Sequence, residues 1–217
     1  RISPVREYLE SLTWDGMPRL DLWLDTYLGA GDTWVDDGRV PVEDYIRYLT
    51  RVGPMFLISA VARAFQPGCK VDHVLILEGP QGAGKSSVVR VLGDPWVMDT
   101  PITIGDKDGY IAIRGKWFVE VAELDSFNKA ESSAAKRFYS ASFDTYRDAY
   151  GRRAADVQRQ CVFIGTVNHN EYFRDETGNR RYWPVAVGKI DLERLRKDRD
   201  QLFAEAVARY AKGERWW

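Results

Sequence analysis

The sequence predicts an α/β fold, a parallel sheet with helices on its faces, preceded by a small helical subdomain. Three observations carry this. An all-apolar run (Val74, Leu75, Ile76, Leu77) enters Gly79-Pro80-Gln81-Gly82-Ala83-Gly84-Lys85-Ser86, and an apolar-periodic helix follows at once. Two further apolar runs, Trp117 to Ala122 and Cys161 to Val167, each stop at polar residues, as central parallel strands do. Before residue 70 the apolar residues recur at helical spacing instead. Strands interleaved with helices imply parallel pairing, in which ligands gather at the carboxyl ends of the strands. The expected division is residues 1–70 for the helices and 71–217 for the α/β domain.

In chain order, Ser3-Pro4 offers an N-cap with proline at the first helical position, and Val5, Tyr8, Leu9 and Leu12 continue the helix. Trp14-Asp15-Gly16 breaks it, and a second short helix from Leu20 to Leu28 ends at Gly29. The Asp-rich stretch from Gly29 to Val40 reads as a loop. Pro41 to Phe65 is helical with an expected break or kink at Gly53-Pro54. Gln66-Pro67-Gly68 is the hinge into the first strand. Beyond the glycine-rich loop, Trp96 to Met98 is a weak strand, Gly105 to Gly109 a turn, and Ser132 to Ser140 a helix. Ser142 to Arg159 is mixed, Tyr182 to Val187 is a strand, and Asp191 to Ala211 is a charged amphipathic helix.

Composition narrows the function. With 217 residues, 45% of them hydrophobic, the chain can bury one ordinary core plus an appendage. Its net charge of −1 gives no global basic field, so any nucleic-acid contact has to come from a local patch. Cys69 and Cys161 read as reduced thiols, and with two histidines they form no metal-ligand spacing. No run approaches the roughly 18 apolar residues of a membrane span, and Arg1-Ile2-Ser3-Pro4 is no signal peptide, so a cytoplasmic location is expected. A start without Met and an end on Arg215-Trp216-Trp217 are expected of a piece of a longer protein.

The glycine-rich run is G-x-x-x-x-G-K-[ST] between strand and helix, the context of a phosphate-binding P-loop. Gly79, Gly82, Ala83 and Gly84 bring backbone N–H groups around a polyphosphate, with Ser87 in the following first turn of the helix. Lys85 reaches the outer phosphates, and Ser86 completes a Mg²⁺ shell, so ATP with Mg²⁺ is the expected cofactor. The strand from Trp117 ends at Glu123, placed to hold the metal or polarise water. Alternation puts Glu120 on the opposite face, so Glu123 is favoured and Glu120 is the second candidate, with a buried structural ion pair as its alternative role. Asn168 could contact the terminal phosphate or simply start a turn.

Two basic features remain. Arg180 and Arg181 suit an arginine finger or a strand-edge charged pair; as a finger they would act in trans, which requires a ring. Lys136, Arg137, Arg147, Arg152, Arg153 and Arg159 are interleaved with Phe138, Tyr139, Phe143, Tyr146 and Tyr150. That mixture suits a single-stranded nucleic acid, or equally a helix with a buried aromatic face.

Several blocks together resemble the virulence-associated E (VirE) family: Trp14-Asp-Gly-Met-Pro-Arg19, Glu78-Gly-Pro-Gln-Gly-Ala-Gly-Lys-Ser86, Gly115-Lys-Trp-Phe-Val-Glu-Val-Ala-Glu-Leu124, Asp144-Thr-Tyr-Arg-Asp-Ala-Tyr-Gly151 and Thr177-Gly-Asn-Arg-Arg-Tyr-Trp-Pro184. That family occurs in phages and mobile islands and is similar to superfamily 3 helicases of the AAA+ kind. The resemblance implies Glu123 at the Walker B position, Asn168 at the sensor position and Arg180 or Arg181 as the finger. It places Lys136, Asp144 and Arg147 in a segment that forms a DNA-contacting hairpin, and it implies an upstream primase-type domain. The leading expectation is therefore an ATP-driven DNA helicase or translocase on single-stranded DNA, assembled as a homo-oligomeric ring with the hexamer as its candidate size. A protein-remodelling ATPase switch and a P-loop kinase are the alternatives.

Overall fold

The computed structural model describes residues 3–37, 39–98, 107–122, 135, 137–146, 155–168 and 181–217. Five strands form a parallel sheet: β1 (Val74–Glu78), β2 (Val97–Met98), β3 (Phe118–Ala122), β6 (Val162–Val167) and β7 (Tyr182–Ala186), in the order β2-β3-β6-β1-β7. β1 is central, with Leu77 facing Thr166 on one side and Val185 on the other. Between β3 and β6 in sequence, β4 (Phe143–Tyr146) and β5 (Ala155–Gln158) pair antiparallel as a separate two-stranded sheet.

The helices are α1 (Pro4–Ser11), α2 (Trp23–Leu28), α3 (Val42–Phe65), α4 (Lys85–Gly93), α5 (Lys107–Ala112) and α6 (Leu192–Ala211). Alternation divides the sheet's residues. Leu75, Leu77, Phe118, Val162, Ile164 and Val185 join a core with α1 to α4 and α6, whereas Val74, Ile76, Val119, Val121 and Phe163 pack on Phe138 and Tyr139. Helices of residues 4–65 therefore share one apolar core with the P-loop helix and the sheet.

Two local expectations change. α3 runs through Pro54 without a break: the proline removes one backbone donor, but Val52 to Ala64 is almost wholly buried, and that burial outweighs one missing hydrogen bond. Lys107 to Gly109, expected in a turn, opens α5. At α1, Pro4 takes the first helical position as read, but the Ser3 side chain makes no capping hydrogen bond. Gly29 closes α2 in the left-handed conformation, and the Asp191 side chain accepts the Arg194 N–H at the start of α6.

The Trp14-Asp15-Gly16 block is a structural clasp. Asp15 pairs bidentately with Arg19, and Gln201 of α6 bonds the backbone at Asp15 and Thr13. The buried Glu205 carboxylate accepts the N–H groups of Arg19 and Leu20, satisfying donors at the start of the turn leading into α2. Arg199, also on α6, donates to the carbonyls of Leu92 and Asp94 at the C-terminal end of α4, where a cation suits the helix dipole.

His73, just before β1, is stacked on Trp183 at 3.7 Å and lies 3.2 Å from the Ser59 hydroxyl. Burial, with the nearby Arg63 charge, pushes its pKa down to about 3. The unfolded chain takes up a proton near pH 6.5 that the folded chain refuses until about pH 3, so this residue costs stability as pH falls below 6.5. Urea unfolding at a series of pH values should show the parent losing about 2 to 3 kcal/mol more than His73→Phe between pH 6.5 and 4.5. Parallel stability curves for the two proteins would refute this.

Candidate functional site

The P-loop is fixed at both ends by buried structure, β1 before it and α4 after it. Gly82 and Gly84 take φ of +81° and +95°, which other residues adopt only with strain. Gly79 has no positive φ. It is needed for space, because a Cβ there would lie 2.8 Å from the Val187 side chain. Ala83 and Ser87 are half-buried along the same turn, and α4 points its N-terminus into the loop.

Lys85 is 7% exposed and folds back over the loop. Its ammonium donates to the carbonyls of Gly79 at 2.6 Å and Pro80 at 2.8 Å and approaches Asn168 Oδ1 at 3.3 Å. Burial pulls its pKa below the usual lysine value, and the nearby Glu120 charge partly opposes that. Asn168, at the exposed end of β6, thus meets the P-loop lysine directly.

The carboxylate facing Ser86 is that of Glu120. Ser86 Oγ donates to Glu120 Oε1 at 2.5 Å, and Thr166 Oγ1 donates to the same oxygen at 2.8 Å. The mid-strand position, read from the sequence as unfavourable, is the one turned toward α4, because Glu120 shares a face with Phe118. Hydroxyl donors, not a cation, satisfy it. Thr166 was not singled out in the sequence; a lone hydroxyl two residues before Asn168 inside an apolar strand was its only signal.

Ser86 and Glu120 offer hard oxygen donors side by side at a helix N-terminus, which fits a Mg²⁺ ion that keeps waters and phosphate oxygens as its other ligands. Among the described residues, no group of three or more His, Cys, Asp or Glu gathers to hold a metal. A cavity of about 610 Å³ opens beside the loop, lined by Glu78, Gly79, Pro80, Gln81 and Asn168, with Thr33 opposite.

Of the remaining candidates, Glu123, Lys136, Arg147, Arg152, Arg153 and Arg180 lie outside the described residues. Arg181 is half-buried and donates to Ser140 Oγ at 3.0 Å, so its side chain is engaged within its own chain. Arg137 is exposed. Arg159 is not part of a solvated patch: it is 3% exposed, pairs bidentately with the buried Asp144, and lies over the rings of Phe138 and Phe163. Phe138 and Tyr139 are core residues, whereas Phe143 is 56% exposed.

No described helix is long and apolar enough to cross a membrane. No curated protein matches the sequence. The fold is similar to three apo structures of the NrS-1 C-terminal region, with TM-scores of 0.60, 0.58 and 0.56 at 13% identity. These matches cover 94 to 95% of this chain but only 47 to 48% of those chains, so the chain spans about half the length of the structures it resembles. A family model described as the virulence-associated protein E-like domain matches residues 9–217, and the chain belongs to that family.

Proposed function

We propose that this chain is a Mg²⁺- and ATP-dependent motor domain, a replicative helicase or translocase of a phage or other mobile element acting on single-stranded DNA. The observation that supports it most is the convergence of Lys85, Ser86, Glu120 and Asn168 on one P-loop. On this reading Lys85 leaves the Gly79 and Pro80 carbonyls for the outer phosphates, and Asn168 senses the terminal one. The backbone N–H groups of residues 82–87 cradle the phosphates. Ser86 and Glu120 would hold the metal, which would supply charge neutralisation at the phosphate oxygens. Glu123 remains a candidate for the metal or the water.

The oligomer is proposed as a ring, with Arg180 rather than Arg181 as the finger reaching a neighbour's ATP, since Arg181 is already bonded to Ser140. Lys136, Arg137, Arg147, Arg152 and Arg153, before β4 or between β4 and β5 in sequence, are proposed to contact DNA, and an upstream primase-type domain would suit replication. One observation favours the second reading, an ATPase switch acting on a protein: Arg159, Phe138 and Tyr139 are taken up by the core and leave fewer groups for a strand.

Lys85→Ala should lower ATP turnover at least about a hundredfold. Turnover in the parent should rise with single-stranded DNA and lose that stimulation as salt is raised. An unchanged rate in Lys85→Ala would refute the ATPase; a DNA-indifferent parent would favour the switch. Glu120→Gln retains acceptors for Ser86 and Thr166 while losing the charge. It should fold normally, with the Mg²⁺ concentration needed for half-maximal turnover raised about tenfold in a metal titration.

A further inference from the structure

Glu78 is the last residue of β1, level with Val167 of β6 and Ala186 of β7, and immediately precedes Gly79. It is half-buried in the wall of the 610 Å³ cavity, roughly twenty times the share of volume a water occupies in the liquid. Asn168, Gly79 and Pro80 line the same cavity, and Lys85 Nζ bonds all three. The cavity therefore opens at the end of the P-loop where the terminal phosphate of a bound nucleotide would lie. Glu120 Oε1 accepts from both Ser86 and Thr166.

In-line displacement requires the nucleophile to approach from the side opposite the leaving diphosphate. The loop and the α4 N-terminus cradle that diphosphate, so the open approach is through the cavity. Among the described residues that line it, the carboxylate is that of Glu78.

We propose that Glu78 is a catalytic residue, the general base for the attacking water; this rests on the ATP-hydrolase reading. The water oxygen forms a bond to the terminal phosphorus as the bond from that phosphorus to the bridging oxygen breaks. The electron pair leaves on ADP, and the water proton passes to the Glu78 carboxylate and then to solvent or the released phosphate. Nothing is oxidised or reduced. Asn168 orients the water, and Glu120 stays on the metal side.

The test compares the parent, Glu78→Gln, Glu78→Asp, Glu123→Gln and Lys85→Ala in the whole chain. A fluorescent ATP analogue with Mg²⁺ reads binding, single-turnover hydrolysis reads chemistry, and thermal melting checks folding. Glu78→Gln should bind within about threefold of the parent while its single-turnover rate falls about a hundredfold or more and loses the acid limb of its pH profile. Glu78→Asp, which keeps a shortened carboxylate, should retain that limb at a reduced rate, so the proposal stays testable if the amide variant folds poorly. The proposal is overturned if Glu78→Gln keeps its rate within threefold, or if binding and rate fall by the same factor. A large loss confined to Glu123→Gln would also overturn it. A parent that binds and hydrolyses no better than Lys85→Ala would instead remove the hydrolase reading itself.

Discussion

Burying the Glu120 carboxylate in the middle of a parallel strand obliges the fold to supply donors, and the two supplied come from the P-loop helix and the adjacent strand. One oxygen thereby ties α4 to β3 and β6. Lys85 poses the opposite problem on the same helix turn, a buried ammonium satisfied by two loop carbonyls and Asn168. The two charges attract through a medium less screening than water, which offsets part of their desolvation. A nucleotide with its metal would exchange these internal partners for phosphate and cation. The groups are thus held close to where they would act, and little side-chain ordering is left to do on binding.

The P-loop helix is braced from behind by α6. Arg199 meets the carbonyls at its far end, while Gln201 and Glu205 hold the Trp14 to Leu20 segment in place. Tyr8 completes the contact: its hydroxyl donates to Asp200, and Arg199 lies over its ring. The most distinctive block near the N-terminus therefore makes its contacts with α6. It fastens the helical segment to α6, and α6 supports the helix on which Lys85 and Ser86 sit. A motif of high specificity in a sequence need not be a contact with ligand.

What the sequence made legible was contiguous in the chain. The P-loop is eight successive residues with a strand before and a helix after, and Asn168 directly follows an apolar run, so both were readable from local pattern. The partnership of Glu120 was not, because alternation separates Glu120 from its neighbours by face but does not say which face meets α4. That depends on α3, α4 and α6 all packing with Phe118 and Leu77 on one side of the sheet. The continuity of α3 through Pro54 was hidden for a related reason: local chemistry counts the lost donor, and only the tertiary fold supplies the burial that outweighs it. Thr166 and Glu78 likewise gain meaning from strand neighbours distant in sequence.

Within the basic segment, Arg159 is a structural residue of the β4–β5 pair. Arg159 supplies cation, hydrogen bonds and ring contacts to the hairpin base: it pairs with Asp144 across the two strands, donates to the Phe138 carbonyl, and its own carbonyl accepts from Gly68 and Arg63. Arg63, 1% exposed, meets carbonyls of Val71 and Ala141 as well, so α3, the hinge after it and the hairpin base form one hydrogen-bonded junction. Such a junction resists motion at the base, because any displacement leaves a buried guanidinium without its acceptors. Arg159 also lies over Phe163 in β6, the strand that ends next to Asn168. Packed groups thus connect the base of the β4–β5 pair to the strand that carries the residue facing Lys85.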